Sequence, residues 1–405
     1  MTQPQTSEAE AVPGDPNGAS PSTPQGEIRL KLFARTDVGQ VREHNEDNFI
    51  VADLSRKTRG LLEANRTTVV GKHGLLFSVC DGMGGAAAGE IASQLAVDIL
   101  YERMVDGLEE QPLTRDQLAR RLTRAIEAAG LRIFQEAKLD RTRRGMGTTV
   151  TAAALVDDHL FFAQVGDSRG YLLREGRLVQ LTRDQSLVNQ LIEAGQLTEE
   201  EAETFEHNNI ILQALGTADT VQVDLTFCEL RRGDVLLLCS DGLSGMVRGD
   251  EIREALKAAE EPVDACKMLT DRANQAGGHD NITVVVVRFE GEGLKPLAPE
   301  TDPLKYRKYT LPEEPVEATE PGRSLDLPPS IGGRPNFSGT SAPQGLSSTV
   351  VGGPTVNAPF PAPPPPQYDE ERVEIPGTHV PPWVVVVLVV SVILILAGTA
   401  YLFLR

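Results

Sequence analysis

Residues 75–85 read Leu75-Leu76-Phe77-Ser78-Val79-Cys80-Asp81-Gly82-Met83-Gly84-Gly85. An apolar run of strand length stops on a carboxylate, and the glycines after it let backbone come close to a ligand. Taken alone, Asp-Gly after a strand is a turn. The arrangement recurs, though. Leu160–Val165 ends on Gly166-Asp167-Ser168-Arg169, and Val235–Cys239 ends on Ser240-Asp241-Gly242. Gly277-Gly278-His279-Asp280-Asn281 precedes the apolar run Ile282–Phe289, and Arg42-x-x-Asn45-Glu46-Asp47 precedes Asn48–Ala52. Carboxylates that converge from several strand ends cannot all stay ionised without cations among them. Oxygen donors with little histidine suit Mg²⁺ or Mn²⁺ rather than Zn²⁺.

Outward from these corners, strand patterns cover Glu27–Ala34, Asn48–Ala52, Gly74–Cys80, Thr148–Leu155, Leu160–Val165, Gly170–Arg174, Val221–Glu229, Val235–Cys239 and Asn281–Phe289. Helical spacing covers Ala88–Met104 and Gln117–Leu139, the latter through Leu118, Leu122, Ile126 and Leu131. A second helical pair is expected from Ser186–Ala194 with Asp250–Ala276. Runs such as Val235–Cys239 and Val284–Val287 are too continuous for a sheet wetted on one face. The pattern predicts an α+β fold, two packed antiparallel sheets flanked by helix pairs, rather than alternating βαβ units.

Proline placement divides the 405 residues: five of 27 prolines lie in 1–27 and twenty in 291–382, leaving Pro112 and Pro262 between. Residues 1–27 read as a disordered leader without an apolar stretch, and 28–290 as the globular domain. The Pro/Gly/Ser-rich stretch 291–382 reads as a flexible linker with a coil span of about 50 Å. Residues 383–404 form an uncharged run from Trp383 to Leu404, about 33 Å long as a helix. That length predicts a transmembrane helix acting as a tail anchor, with the domain at the cytoplasmic face of the cell membrane. With 58 acidic against 39 basic residues and a net charge of −19, nucleic acid is excluded as the main partner. Four scattered cysteines (Cys80, Cys228, Cys239, Cys266) make no disulfide framework.

Taken together, R-x-x-N-E-D, D-G-M-G-G followed by Gly89-Glu90-x-Ala92-Ser93, G-M-G-T-T at Gly145–Thr149, V-G-D-S-R at Val165–Arg169, S-D-G and G-G-x-D-N resemble a known family. The domain is similar to the PPM (type 2C) metal-dependent protein serine/threonine phosphatases. The match is to the bacterial branch, where Met83 stands in place of a histidine. The resemblance implies an αββα sandwich with a binuclear Mn²⁺ or Mg²⁺ site at one end of the sheets. It implies that Asp81 bridges two ions, the Gly82 carbonyl ligates one, and Asp241 with Asp280 completes the other. Asp167, with Asp241, would hold a weaker third ion. Glu46 and Asp47 would order water in the metal site, Arg42 would bind the substrate phosphate, and Asn281 would orient Asp280. The implied reaction is in-line attack of a water bridging two ions on phosphoserine or phosphothreonine. Phosphorylated proteins, serine/threonine kinases and their substrates are the partners so implied. Asp184–Gly216 resembles the family's flap more loosely.

Two other readings stand beside this one. Cys266-Lys267-Met268-Leu269-Thr270-Asp271-Arg272 has the C-x5-R spacing of cysteine-dependent phosphatases, but without a glycine-rich loop it reads as helix. An inactive phosphoprotein-binding scaffold of the same fold is the alternative of different class; the presence of Asp81, Asp167, Asp241 and Asp280 favours the enzyme.

Overall fold

Val284-Val285-Val286-Val287 lies within one nine-residue strand whose alternate side chains enter different cores. Val284 and Val286 pack under helices, whereas Val285 and Val287 pack against a second sheet. Val150–Val156 does the same: Ala152 and Ala154 meet helices, Ala153 and Leu155 the opposing sheet. Strands buried on both faces need no polar alternation, which is why these runs are continuous.

The computed structural model describes residues 12–13, 26–60, 67–84, 88–202, 205, 209–297, 304 and 306–312. In chain order come β1 (Arg29–Asp37), β2 (Asn48–Asp53), β3 (Thr58–Arg59), β4 (Thr67–Val69), β5 (Leu75–Cys80) and β6 (Val150–Val156). They are followed by β7 (His159–Val165), β8 (Arg169–Arg174), β9 (Arg177–Gln180), β10 (Asp224–Glu229), β11 (Val235–Cys239) and β12 (Ile282–Glu290). One six-stranded sheet runs β10-β7-β6-β5-β2-β3 and the other β9-β8-β11-β12-β1-β4. All the neighbouring strands in both are antiparallel.

Helices α1 (Ala88–Val105) and α2 (Arg115–Leu139) cover the first sheet. A capping box starts α2: the Thr114 hydroxyl accepts from the Gln117 amide while the Gln117 side chain accepts from the Thr114 amide. Two short helices, α3 (Leu187–Glu193) and α4 (Glu199–Ala202), follow β9 and bury only Ala202. The second sheet is covered by α5 (Asp241–Ser244), α6 (Gly249–Ala258) and α7 (Pro262–Gln275). The expected two-sheet sandwich is the one observed. The expected second helix pair is corrected: Asp250–Ala276 is itself two helices, broken before Pro262, which starts α7. The Ser186–Ala194 stretch lies apart, as α3.

Packed structure also continues past residue 290, where proline content set the linker boundary. Leu294 is buried between the sheets. The Phe227 amide donates to the Arg307 carbonyl at 3.0 Å, and Lys308 bridges Thr226, so residues 306–312 strap the β10 edge. Tyr309 meets Phe161 edge-on at 5.0 Å and Phe227 at 5.3 Å. From the expected leader, Val12–Pro13 pairs in parallel with Tyr309–Thr310. Composition hid this strap because three apolar or aromatic residues (Tyr306, Tyr309, Leu311) are averaged away among prolines. Among the described residues no helix is long and apolar enough to cross a membrane; the run 383–404 lies outside them.

A chain ending at residue 290 should be less stable than one ending at 312 by at least about 3 kcal/mol, from the burial of Leu294 and the Tyr309 ring contacts. Urea unfolding of the two chains measures this, and equal midpoints would show that the strap adds nothing.

Candidate metal centre

Both sheets send carboxylates to one end of the sandwich. Asp81 follows β5 and Asp167 follows β7 in the first sheet; Asp241 follows β11 and Asp280 precedes β12 in the second. Asp47, from the loop joining β1 to β2, reaches from one sheet to the other. The Ser240 hydroxyl donates to Asp47 Oδ2 at 2.7 Å and accepts from the Thr283 amide at 2.9 Å. Asp81 is clamped through its backbone: its amide donates to Thr149 Oγ1 at 3.0 Å, and its carbonyl accepts from the Thr149 amide and the Thr148 hydroxyl, both at 2.8 Å. Gly82 pairs with Thr148 in a short antiparallel ladder. A Cβ on Gly82 would lie 2.3 Å from the Gly89 carbonyl and 2.4 Å from that of Glu46, so only glycine fits. Gly89 in turn gives room to the Glu46 carboxylate, and Ser93 donates to the Glu46 carbonyl at 2.6 Å.

The electrostatics of the cluster are those of carboxylates with too little countercharge, Arg42 and Arg169 offsetting only part of the repulsion. Burial pushes Asp47 up to about 8, with Asp241 and Asp280 adding repulsion against partial relief from the Thr283 and Ser240 hydroxyls. Burial, then Asp241 and Asp184, raise Asp167 to about 7. Asp81 is held well above the usual range by burial and by Asp47, Asp241 and Asp167, and it shares a hydrogen bond with Asp241. Burial and Asp280 raise Asp241 as well. Asp47 Oδ1, Asp167 Oδ1 and Asp241 Oδ1 are buried with no hydrogen-bond partner. Unpartnered buried carboxylate oxygens, oxygen-only donors and raised proton affinities fit hard divalent cations.

The residues expected from the sequence therefore meet at one end, with differences in detail. Arg42 is exposed and donates to Asp280 Oδ2 at 2.7 Å, at the edge of the cluster. Glu46 is raised by burial, partly offset by Arg42. Asn281 orients Asp280 through its backbone amide, which donates to Asp280 Oδ1 at 2.8 Å. Its side chain instead fastens the 38–47 loop: Nδ2 donates to the Val38 and His44 carbonyls, and Oδ1 accepts from the Glu46 amide. Ser240, Thr148, Thr149 and Asp184 carry positioning roles that no sequence signal assigned beyond the motifs containing them. Asp184 accepts from Arg169 Nε at 2.8 Å, and the Gln185 amide donates to the Gly166 carbonyl, so the root of the α3–α4 segment is tied to the Asp167 corner.

Two other groups are not sites of this kind. Cys266 is buried in α7, its thiol pushed up to about 12 by burial and facing the Phe33 carbonyl; Cys80, Cys228 and Cys239 are equally buried. Asp158, His159 and Glu229 sit close together at the turn joining β6 to β7, the opposite end of those strands. Arg115 and Lys295 pair with Asp158, and Arg231 with Glu229.

A family model described as protein phosphatase 2C matches residues 58–278. The chain belongs to the protein phosphatase 2C family. The serine/threonine phosphatase stp of Listeria monocytogenes is 38% identical over 253 residues, 62% of this chain and 93% of the relative. Protein phosphatase PhpP of Streptococcus pneumoniae is 40% identical over 263 residues, 65% of this chain and 99% of the relative. The crystal structure of the Mycobacterium tuberculosis serine/threonine phosphatase PstP/Ppp covers 65% of this chain and 99% of its own, at 37% identity and a TM-score of 0.55. The PstP catalytic domain in complex with two manganese ions aligns over 65% of this chain and 99% of its own, at 36% identity and a TM-score of 0.54.

Because cations bind the deprotonated carboxyls, Mn²⁺ affinity of this phosphatase domain should rise with pH through 7 and 8. Binding at pH 7 should release on the order of one to two protons. Calorimetry in buffers of different ionisation enthalpy counts them, and zero release would show that the cluster is already ionised. The stability of the metal-free domain runs the other way. Asp47 and Asp167 hold protons that the unfolded chain gives up near pH 4, so stability falls as pH rises from there through 7 to 8.

Proposed function

We propose that this family member hydrolyses phosphoserine and phosphothreonine in proteins, using two Mn²⁺ or Mg²⁺ ions held by Asp81, the Gly82 carbonyl, Asp241 and Asp280, with Asp167 available to a weaker third. The observation that carries this reading is the set of unpartnered buried oxygens on Asp47, Asp167 and Asp241. When bound, the ions supply Lewis-acid chemistry, lowering the pKa of the attacking water and neutralising charge on the phosphoryl oxygens. Arg42, at the exposed edge of the cluster, binds the phosphate through its planar fork. Glu46 and Asp47 orient water, and Asp47 can hold or release a proton at Oδ1 while Ser240 keeps Oδ2 in place. The names of the Listeria and Mycobacterium relatives support the serine/threonine specificity.

The uncharged run 383–404 supports a membrane tether, with 28–290 at the cytoplasmic face opposing serine/threonine kinases. Confinement to a thin layer raises the effective concentration toward membrane-bound phosphoproteins.

Phosphate release from a phosphothreonine peptide should require Mn²⁺ or Mg²⁺, stop with EDTA, and fall about 10³-fold or more in Asp241→Asn. Arg42→Ala should lower kcat/KM about 10²-fold while the Mn²⁺ affinity of the cluster is retained. A folded chain that binds the peptide without turnover under any metal would instead establish the scaffold alternative. Deleting 383–404 should move the protein from the membrane to the soluble fraction of cells; an unchanged distribution would sink the tether.

A further inference from the structure

A cleft of about 810 Å³ opens between the end of α1, the loop 106–114 and the first turns of α2. Arg103, Arg120, Arg121 and Arg124 line it, against Asp106 and Glu109. Helix α1 starts beside the Glu46 carboxylate at Gly89 and ends at this cleft, so its 18 residues put the cleft about 25 Å from the metal centre. Arg121 donates to the Arg103 and Asp106 carbonyls, which closes the C-terminal end of α1 and holds a guanidinium over the cleft.

The edge strap runs to the same place. Tyr309 donates to Asp116 in the first turn of α2, and Arg120 donates to the carbonyl of Pro312, the last described residue. The chain continues Glu313-Glu314-Pro315-Val316-Glu317-Ala318-Thr319-Glu320, four carboxylates with no basic residue. Extended, eight residues reach about 26 Å, ample for a cavity of this volume, and Pro312 and Pro315 restrict the segment before it docks. Restriction of the free segment lowers the ordering cost of binding.

We infer that Glu313–Glu320 docks in the arginine-lined cleft at the end of the α1–α2 pair. Four carboxylates delivered to the rim by the strap meet a lining that includes four arginines and two acids, and Coulomb attraction in a partly desolvated cleft exceeds that at an open surface. The inference does not depend on the proposed reaction.

Hydrogen exchange read by mass spectrometry on the full chain in detergent micelles tests this. Four chains are compared: the parent, one with Glu313, Glu314, Glu317 and Glu320 each changed to Lys, one with Arg103→Glu and Arg124→Glu, and one combining both sets. Amides of 313–320 should exchange about fivefold or more slowly in the parent than in either one-sided reversal, and the combined chain should regain protection. The β6 and β12 amides report in the same experiment whether each variant is folded. Equal exchange of 313–320 in all four folded chains would overturn the inference. So would protection that grows with protein concentration, which would assign the cleft to a second copy. Protection of 106–114 unaffected by reversing the acidic segment would assign it to another occupant and overturn it equally.

Discussion

Like charge crowded into one end of a sandwich is the constraint on which the rest of this structure depends. Asp81 and Asp167 are carried by one sheet, Asp241 and Asp280 by the other, and Asp47 by the loop between β1 and β2. Packed sheets lie about 10 Å apart, within the combined reach of side chains from facing strand ends. The cluster therefore exists only when both sheets have formed and packed. Repulsion among its members opposes that packing until protons or cations offset it, which couples folding, protonation and metal affinity.

Holding such a cluster in place requires polar scaffolding that is itself satisfied. Ser240 serves two masters, Asp47 Oδ2 and the Thr283 amide, and so links the loop after β1 to the β11–β12 pair. Asn281 uses three side-chain hydrogen bonds on the 38–47 loop and its backbone on Asp280. Behind Asp81, the Thr149 hydroxyl also meets Ser168 Oγ at 2.8 Å, so the Asp81 and Asp167 corners share one hydrogen-bonded chain. Close backbone approach completes the frame: a Cβ on Gly242 would lie 2.1 Å from the Asn281 carbonyl. Networks of this kind set side-chain positions more tightly than packing alone.

Much of this was legible from local pattern. Continuous apolar runs gave the two-sided burial of β11 and β12, and strand-end Asp-Gly corners gave the cluster, because each feature spans only a few consecutive residues. What escaped depends on partners far apart in sequence. Nothing near Asn281 says that its side chain serves residues 38, 44 and 46. The break before Pro262 was missed because apolar spacing in Ile252, Leu256, Cys266 and Leu269 reads smoothly across it. The 290 boundary was set by composition, an average that cannot register one tyrosine against Phe161 and Phe227. Cys266 was legible for the opposite reason: its spacing matched a motif, but the residues between lacked the glycines that thiolate chemistry needs.

The hairpin β6–β7 has acidic residues at both ends and resolves them in opposite ways. At its turn, burial would raise Asp158, yet the His159 hydrogen bond and the charges of His159, Arg115 and Lys295 outweigh it and hold that carboxyl below its usual range. The protein supplies its own cations there, and the cluster is structural. At the open end, Asp167 shares its surroundings with Asp241 and Asp184, and the nearby guanidinium of Arg169 is committed to Asp184. Acid content alone does not distinguish the two ends, since each gathers at least three carboxyl or imidazole groups. The balance of cations contributed by the chain does. Where that balance is met, acidic residues hold the fold together; where the fold withholds it, divalent ions must complete the site, and the chemistry goes with them.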